Sequence, residues 1–140
     1  MSSLNFSVKE RDNGIGRGLR GYVKLVEKKM KSETRAAVRF ALELGEEQMK
    51  LYISTRGINK PGRIDSEYMI DSVGHEVRGG GGWGSGEVGW TKGEAEYFTY
   101  QEEGFRHYLS GKQIPAMLAF HDMWPQVQDF IRSELRRIVG

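Results

Sequence analysis

The sequence predicts an α+β fold: a long N-terminal helix and a C-terminal helix packed on a small antiparallel β-sheet. Apolar residues recur at helical spacing from about residue 18 to 54 and again from residue 115 onward. Between these segments, β-branched residues alternate with polar ones and are interrupted by four glycines at 79–82. A chain of 140 residues has the size of one domain. We therefore expect a flexible arm at 1–16 and a single α+β domain at 17–140.

Residues 1–16 combine a short apolar alternation with turn residues. Leu4, Phe6 and Val8 alternate as in an edge strand, and Asn13-Gly14-Ile15-Gly16 follows them. Terminal segments of this kind are often poorly ordered. We interpret residues 1–16 as an arm that is mobile or is ordered by a partner.

The next segment, residues 18–54, is predicted to be one amphipathic helix with a possible bend near Gly45. Such a helix would measure roughly 50 Å at 1.5 Å per residue. That length exceeds what the core of one small domain requires, so part of it is expected to contact another molecule. Its apolar positions keep helical spacing throughout: Leu19, Tyr22, Val23, Val26, Met30, Ala37, Val38, Ala41, Leu44, Met49 and Tyr52.

A turn at 55–62 leads to a predicted β-hairpin. One strand runs from Tyr68 to Val77, the glycine run forms a flexible connection, and a second strand occupies 84–90. Trp83 lies at the connection, where a large apolar side chain often marks a partner contact. We expect Trp83 to be such a contact.

An aromatic segment at 97–103 is predicted to form a short helix that ends at Gly104 in a left-handed turn. On this helix Tyr97 and Tyr100 share a face, which we expect to pack against the closing helix, while Glu102 faces solvent or pairs with a basic neighbour. The closing helix is expected to begin at Pro115 and to be kinked or restarted at Pro125.

The net charge of +2 is small, but its distribution along the chain is uneven. From Lys9 to Arg39 there are ten basic and four acidic residues, and from Glu87 to Glu103 five acidic residues face one lysine. Two interpretations are open. Each segment is the solvated side of its own element, or the two segments contact each other head to tail between copies. The candidate interface residues are Arg20, Lys24, Lys28, Lys29, Trp83, Glu96, Tyr97, Tyr100, Glu102 and Glu103.

No catalytic, metal or cofactor site is predicted. There are no cysteines, and His75, His107 and His121 lack the spacing of paired metal ligands. Gly16-Arg17-Gly18-Leu19-Arg20-Gly21 spells a dinucleotide-binding pattern but lacks the buried strand that must precede it. The sequence also shows neither a secretory signal nor an apolar run long enough to span a bilayer, which predicts a cytoplasm-like compartment and no membrane partner.

Two blocks of the sequence resemble a known family. Tyr97, Tyr100, Glu102 and Gly104, followed by Pro115 with Met117-Leu118, are similar to a tyrosine, tyrosine, glutamate, glycine segment and a later proline with two large apolar residues. This arrangement resembles the tail-completion, or head-tail joining, proteins of long-tailed phages. Glu103 and Phe105 depart from the family's usual aromatic residue and threonine.

The resemblance implies a non-enzymatic virion protein that forms a hexameric ring in the neck and is made in the host cytoplasm. Its implied partners are copies of itself, the portal-connector or adaptor proteins, and the tail terminator or tail tube, with passive contact to genomic DNA in the channel. Two alternatives stay open. One is a tail terminator, and the other is a small basic nucleic-acid-binding protein, because a basic segment can release phosphate counterions.

Overall fold

The computed structural model describes residues 4–11, 19–57, 66–92, 95–106, 111 and 113–139. In these residues the chain forms a four-stranded sheet, a two-stranded ribbon and four helices. In chain order they are β1 (Asn5–Arg11), β2 (Arg20–Val26), α1 (Ser32–Gly57), α2 (Ser66–Asp71), β3 (Val73–Gly79), β4 (Trp83–Trp90), α3 (Ala95–Glu103), β5 (Phe105–Arg106), β6 (Gln113–Ile114) and α4 (Ala119–Val139).

The main sheet is antiparallel, with the strand order β1-β2-β4-β3. Helices α1 and α4 pack on one face of this sheet and against each other. The predicted α+β class, with two long helices on a small antiparallel sheet, is confirmed. The opposite face is covered by neither helix and carries the side chains that alternate with the buried ones.

The start of the predicted long helix is wrong, because residues 20–26 form strand β2. Val23 and Leu25 are buried against the helices, while Tyr22, Lys24 and Val26 lie on the opposite face. This alternation has a period of two, and over one or two turns it satisfies helical spacing equally well. Helix α1 begins only at Ser32 and has 26 residues, or about 39 Å.

Helix α1 also continues without a break through Gly45. A Cβ atom at this glycine would lie 2.8 Å from Cγ2 of Val127 in α4. The glycine therefore allows close packing of the two helices and does not mark an end of α1.

Residues 5–11 of the predicted N-terminal arm are part of the sheet. Residues 5–11 form β1 and pair with β2 along their whole length, from Asn5 with Val26 to Arg11 with Arg20. Arg132 of α4 donates a hydrogen bond to the carbonyl of Val8 at 3.4 Å. Residues 5–11 are thus an edge strand, as their alternation indicated, and not a free arm. Residues 12–16 lie outside the described residues.

The predicted hairpin is confirmed as β3 and β4, which pair from Val73 with Trp90 to Gly79 with Gly84. Its first strand was predicted to start at Tyr68, whereas residues 66–71 form the short helix α2. Tyr68 and Ile70 fit either period. Met69 is fully buried in this helix, and its carbonyl accepts a hydrogen bond from the indole of Trp90 at 3.1 Å.

The closing helix starts four residues later than predicted, at Ala119. Residues 113–114 pair with 105–106 as the ribbon β5-β6, and Leu118 has φ of +55°, which is outside the helical region. Pro125 lies inside α4, which neither ends nor restarts there. Among the described residues, no helix has the length and apolarity needed to cross a membrane.

Trp124 and Phe120 of α4 belong to the core under the sheet. Trp124 packs directly on the backbone of Gly21, where an added Cβ would lie 2.1 Å from the indole ring. The position requires glycine because any side chain would displace the tryptophan. This contact fixes α4 against strand β2.

Candidate interaction surfaces

The predicted basic interface residues lie on strand β2 and in the connection that follows it. Arg20 and Lys24 project from the uncovered face of the sheet, and Lys28 and Lys29 are exposed between β2 and α1. They are therefore not a face of one helix. We call the uncovered face the open sheet face, defined by Lys9, Arg11, Arg20, Tyr22, Lys24, Glu76, Arg78, Trp83, Ser85 and Glu87.

Part of the predicted acidic segment pairs with basic residues of this same face. Glu87 is opposite Tyr22 in the sheet, and its carboxylate lies 3.3 Å from Arg20 and 3.8 Å from Arg11. The predicted contact between basic and acidic segments of different copies is thus partly an internal contact here. Glu87 is mostly buried, so it is a weak candidate for an intermolecular partner.

Tyr22 lies on the open sheet face close to two cations of the neighbouring strand β1. The guanidinium of Arg11 is 4.3 Å from the centre of its ring and the ammonium of Lys9 is 5.9 Å away. These distances are within the range of cation–π attraction. The open sheet face therefore combines positive charge with a flat aromatic surface.

Trp83 begins β4 at one end of this face and is half exposed (50%). The glycine connection beside it was predicted to be flexible, but it is tied to neighbouring segments. Backbone hydrogen bonds run from Gly80 N to Trp83 O (3.0 Å), from Glu27 N to Gly82 O (2.9 Å) and from Met30 N to Gly81 O (2.9 Å), and Arg35 donates to Gly80 O. The structure thus presents Trp83 on a well-bonded turn.

Helix α3 carries the aromatic block at the other end of β4. Phe98 is the buried residue: it stacks on Trp90 with ring centres 5.2 Å apart and also contacts Tyr68. Tyr97 is partly buried beside it, whereas Tyr100 is 51% exposed. The prediction that Tyr97 and Tyr100 pack together on the closing helix is wrong, because the helix turns Phe98 inward.

Gly104 ends α3 as predicted. It has φ of +85°, and its N–H donates to the carbonyl of Tyr100 at 2.8 Å. A left-handed residue at this place closes the helix and favours glycine.

The prediction that Glu102 faces solvent is wrong: its side chain is only 1% exposed. One carboxylate oxygen accepts from the backbone N–H of Phe120 (3.2 Å) and the other from that of His121 (2.7 Å). The first N–H groups of a helix have no partner within the helix, and the helix dipole favours negative charge there. Glu102 therefore caps α4 from a separate helix.

Burial raises the pKa of Glu102 above its usual value of 4.5, and the backbone hydrogen bonds from His121 and Phe120 oppose this shift. The loss of water around the carboxylate outweighs the amide donors. This perturbed acid has a structural role, since both of its oxygens point into the start of a helix.

Further contacts complete this junction between α1, α3 and α4. The carbonyls of Gln101 and Glu102 accept from Met117 N (2.9 Å) and Leu118 N (3.2 Å). Arg56 donates to the carbonyls of Met117 and Leu118 at 3.0 and 3.1 Å, and pairs with Asp122 at 2.7 Å. We call this set of residues the capped junction.

The other predicted acidic residues of α3 give less information. Glu103 is exposed at the last position of α3. The side chain of Glu96 lies outside the described residues. Of the acidic residues placed in the predicted interface, Glu103 is thus the one described as exposed.

A second surface, which the sequence analysis missed, lies on the solvent side of the helices. Phe40 of α1 is 52% exposed and packs against Phe130 of α4, with ring centres 5.7 Å apart. Leu44 and Leu51 are also exposed along α1. We call this the helical groove; its lining residues are Ala41, Leu44, Gln48, Met123, Gln126, Val127 and Phe130.

The sequence did contain a signal for the helical groove. Phe40, Leu44 and Leu51 are spaced by four and seven residues, so they form one stripe, while Val38, Leu42 and Met49 form the buried stripe. A helix with apolar residues on two sides indicates two contacts. The sequence prediction assigned Leu44 to the same apolar face as Val38 and Met49, and it left Phe40, Leu42 and Leu51 unassigned.

No metal or nucleotide site emerges from the described residues. None of their histidine, aspartate and glutamate side chains form a group of three that could hold a metal ion. His75 contacts the Glu46 carboxylate at 3.3 Å, between the sheet and α1. His107 and residues 16–18 of the glycine pattern lie outside the described residues.

Comparison with known proteins gives no match for this chain: no family model, no curated protein and no solved structure matches it.

Proposed function

We propose that this protein is a non-enzymatic structural subunit that forms a ring with copies of itself in the neck of a long-tailed phage, between the portal-connector complex and the tail. The observation that carries the proposal is that, in the part of the chain that the structure describes, the subunit leaves two different surfaces exposed, one on each of its layers. One is the open sheet face with Trp83, and the other is the helical groove.

The chemistry of the two surfaces supports repeated contact between copies. Phe40, Leu51 and Trp83 are each at least half exposed. Large apolar groups in this position favour a protein contact over water. When the two sides of a contact are different patches, the association is head to tail, and it closes into a ring where the rotation allows.

The likeness of the sequence to tail-completion proteins supports the choice of phage neck among ring-forming proteins. The residues that carry it take structural positions in this chain. Glu102 caps α4, Gly104 ends α3, and Met117-Leu118 lie at the start of α4. A motif with these positions would stabilise the fold that the family shares. Other residues would then form the contact surfaces.

A tail terminator is the alternative position within the same class of virion protein. It too would be a ring of small α+β subunits, so the two surfaces serve either position. The place of the ring in the particle decides between them.

The experiment that tests the proposal is the joining of heads to tails. Phage deprived of this protein should accumulate DNA-filled heads and separate tails, and adding the purified chain should restore joining. Imaging of joined particles should place a ring of the protein in the neck. Particles that join normally without it, or a protein that is monomeric both in solution and in particles, would overturn the proposal. A ring at the tail end before joining would indicate the tail terminator.

Nucleic-acid binding is a second candidate, and the open sheet face favours it. Tyr22 lies close to Lys9 and Arg11, and Lys24 and Arg78 share this face with Trp83. Aromatic rings with cations around them suit stacked bases of a single strand. Fluorescence anisotropy with single- and double-stranded oligonucleotides should then show binding that weakens with salt and is lost in Tyr22→Ala. Binding of neither would rule this candidate out.

A further inference from the structure

Trp83 is presented to a partner in a fixed position. Its indole lies over the backbone of Gly80, where an added Cβ would be 2.7 Å from the indole nitrogen. The turn that carries it is bonded to the β2–α1 connection through Gly81 and Gly82. Since little conformational freedom remains to be lost on binding, this half-exposed ring is a suitable anchor.

Basic residues surround this anchor. Lys28 and Lys29 are exposed in the connection that contacts Gly82. Lys24 and Arg78 are exposed on the adjacent strands. We call Trp83, Lys24, Lys28, Lys29 and Arg78 the hairpin tip. An apolar anchor with a polar rim is the common arrangement of an energetic hot spot.

The helical groove has the complementary chemistry. Leu44 and Phe130 provide an apolar lining, and Met123 and Val127 lie at its base. On the solvent side of α1, Glu43 and Glu47 are exposed next to the stripe of Phe40, Leu44 and Leu51. Residue 47 follows Leu44 by three and precedes Leu51 by four, so its carboxylate borders the same stripe. The groove is thus lined by uncharged residues, and Glu43 and Glu47 are acidic groups beside the stripe that borders it.

We propose that the hairpin tip of one copy inserts Trp83 into the helical groove of the next copy, with Lys28 and Lys29 facing Glu43 and Glu47. The tip extends from the sheet layer and the groove lies on the solvent side of the helical layer, so a subunit offers one of each. Each contact therefore leaves a free tip and a free groove, and a ring can close. The inference rests on the proposed ring and names its contact. In this contact the basic residues face acids of α1. The sequence had predicted acids of α3 as their partners, but Glu102 of α3 is buried.

Charge reversal gives a test with an internal control. The tip variant Lys28→Glu/Lys29→Glu places acids against the acidic groove, and the groove variant Glu43→Lys/Glu47→Lys places lysines against the basic tip. Each alone should weaken self-association at least tenfold at low salt, measured by sedimentation velocity or native mass spectrometry. A mixture of the two should associate again, because every contact between unlike variants pairs opposite charges. The chain carrying all four changes should also self-associate.

Two further variants separate the anchor from general charge effects. Trp83→Ala should weaken association about tenfold or more and should remain weak at high salt, where the charge effects fade over a Debye length of about 3 Å at 1 M. Arg136→Glu reverses an exposed charge near the end of α4, beyond the residues that line the helical groove, and it should leave association unchanged. Circular dichroism and urea unfolding confirm that each variant is folded.

The outcomes distinguish this contact from the proposed function. If the parent forms rings that persist in the tip variant, the groove variant and Trp83→Ala alike, the contact is wrong and the neck ring stands. If both reversals weaken assembly but their mixture does not recover, the tip and groove do not face each other, and the contact is wrong. A parent that is monomeric in solution and in joined particles overturns the contact and the proposed function together.

Discussion

The two ends of strand β4 use the same kinds of residue in opposite ways. At the Trp90 end, the capped junction buries an aromatic residue, Phe98, and an acid, Glu102, with hydrogen bonds for both carboxylate oxygens. At the Trp83 end, about 23 Å away at 3.3 Å per residue, the tryptophan is half exposed and lysines surround it. The first end holds the fold together, and the second end is free to contact another molecule.

This difference shows how little residue type alone says about role. Glu102 and Glu103 are adjacent acids, yet only Glu102 reaches the N–H groups at the start of α4. Phe98 and Tyr100 are two positions apart on one helix, so they point to different sides. A cluster of acidic and aromatic residues therefore shows that a segment is important. Which of its side chains are needed for the fold depends on the side of the helix on which each one lies.

The largest loss of stability is expected for a substitution at Phe98. Phe98→Ala should lower the free energy of unfolding by about 3–5 kcal/mol, because it removes a buried ring stacked on Trp90 and leaves a cavity. Tyr100→Ala, at a half-exposed position of the same helix, is the matched control and should lower it by about 1 kcal/mol. Urea denaturation followed by tryptophan fluorescence measures both. Equal losses for the two variants would show that α3 is oriented differently.

The next largest effect is expected at Glu102. Glu102→Gln replaces one acceptor oxygen by an amide donor, so the N–H of Phe120 or His121 is left facing a donor in a buried site. An unsatisfied buried group costs about 1–3 kcal/mol. Glu103→Gln, at the exposed neighbour, should be close to neutral in the same urea titration.

Assembly gives a second readout for the same pair of variants. If Glu102 acts only through the fold, Glu102→Gln should shift the urea midpoint and leave ring formation of the folded fraction unchanged. An equally stable Glu102→Gln that fails to assemble would instead place this residue in an interface, as the sequence first indicated.

The pH dependence sharpens the assignment of Glu102. Its pKa in the folded state is raised above 4.5 by burial, so at low pH both states hold the proton. As the pH rises above 4.5 the unfolded chain releases the proton first, and stability from this group is lost until the folded pKa is passed. The difference in unfolding free energy between the parent and Glu102→Gln should therefore narrow across that window.

Urea titrations from pH 4 to pH 7 measure this difference. Both proteins are best compared with His121→Gln in the background, which removes the imidazole next to the carboxylate and keeps the backbone N–H that donates to it. A difference that widens with rising pH would show that the two amide donors outweigh the burial of the charge.

Sequence patterns were sufficient for the fold class and for the elements whose period is unambiguous. The β3–β4 hairpin is marked by its glycines, and α3 by Gly104, whose φ of +85° is a local requirement. They were insufficient at residues 19–26, where alternation and helical spacing coincide. Strand and helix are distinguished there by a distant contact. Gly21 leaves room for the ring of Trp124, which lies more than a hundred positions later in the chain.

The candidate surfaces were predicted less completely, because they depend on which faces the fold covers. Trp83 was identified from its place between glycines, and it is exposed. The groove at Phe40 and Leu44 arises only once α4 packs beside α1, and the sequence does not state that the two helices are neighbours. The role of Glu102 likewise depends on the position of the start of α4, since it joins residues 18 and 19 positions apart.

An effect on stability as small as that at Tyr100 is expected at Trp83, at the other end of β4. The side chain is half exposed, and the backbone of its turn is held by hydrogen bonds that the substitution leaves in place. Half of the burial energy of a large apolar side chain corresponds to about 1 kcal/mol, so Trp83→Ala should cost about that amount or less. Trp90→Ala is the matched variant in the same strand, and it should cost several times more because its ring is buried and its indole bonds to Met69. A loss at Trp83 as large as that at Trp90 would mean that the tip is part of the core, and the contrast between the two ends of β4 would then disappear.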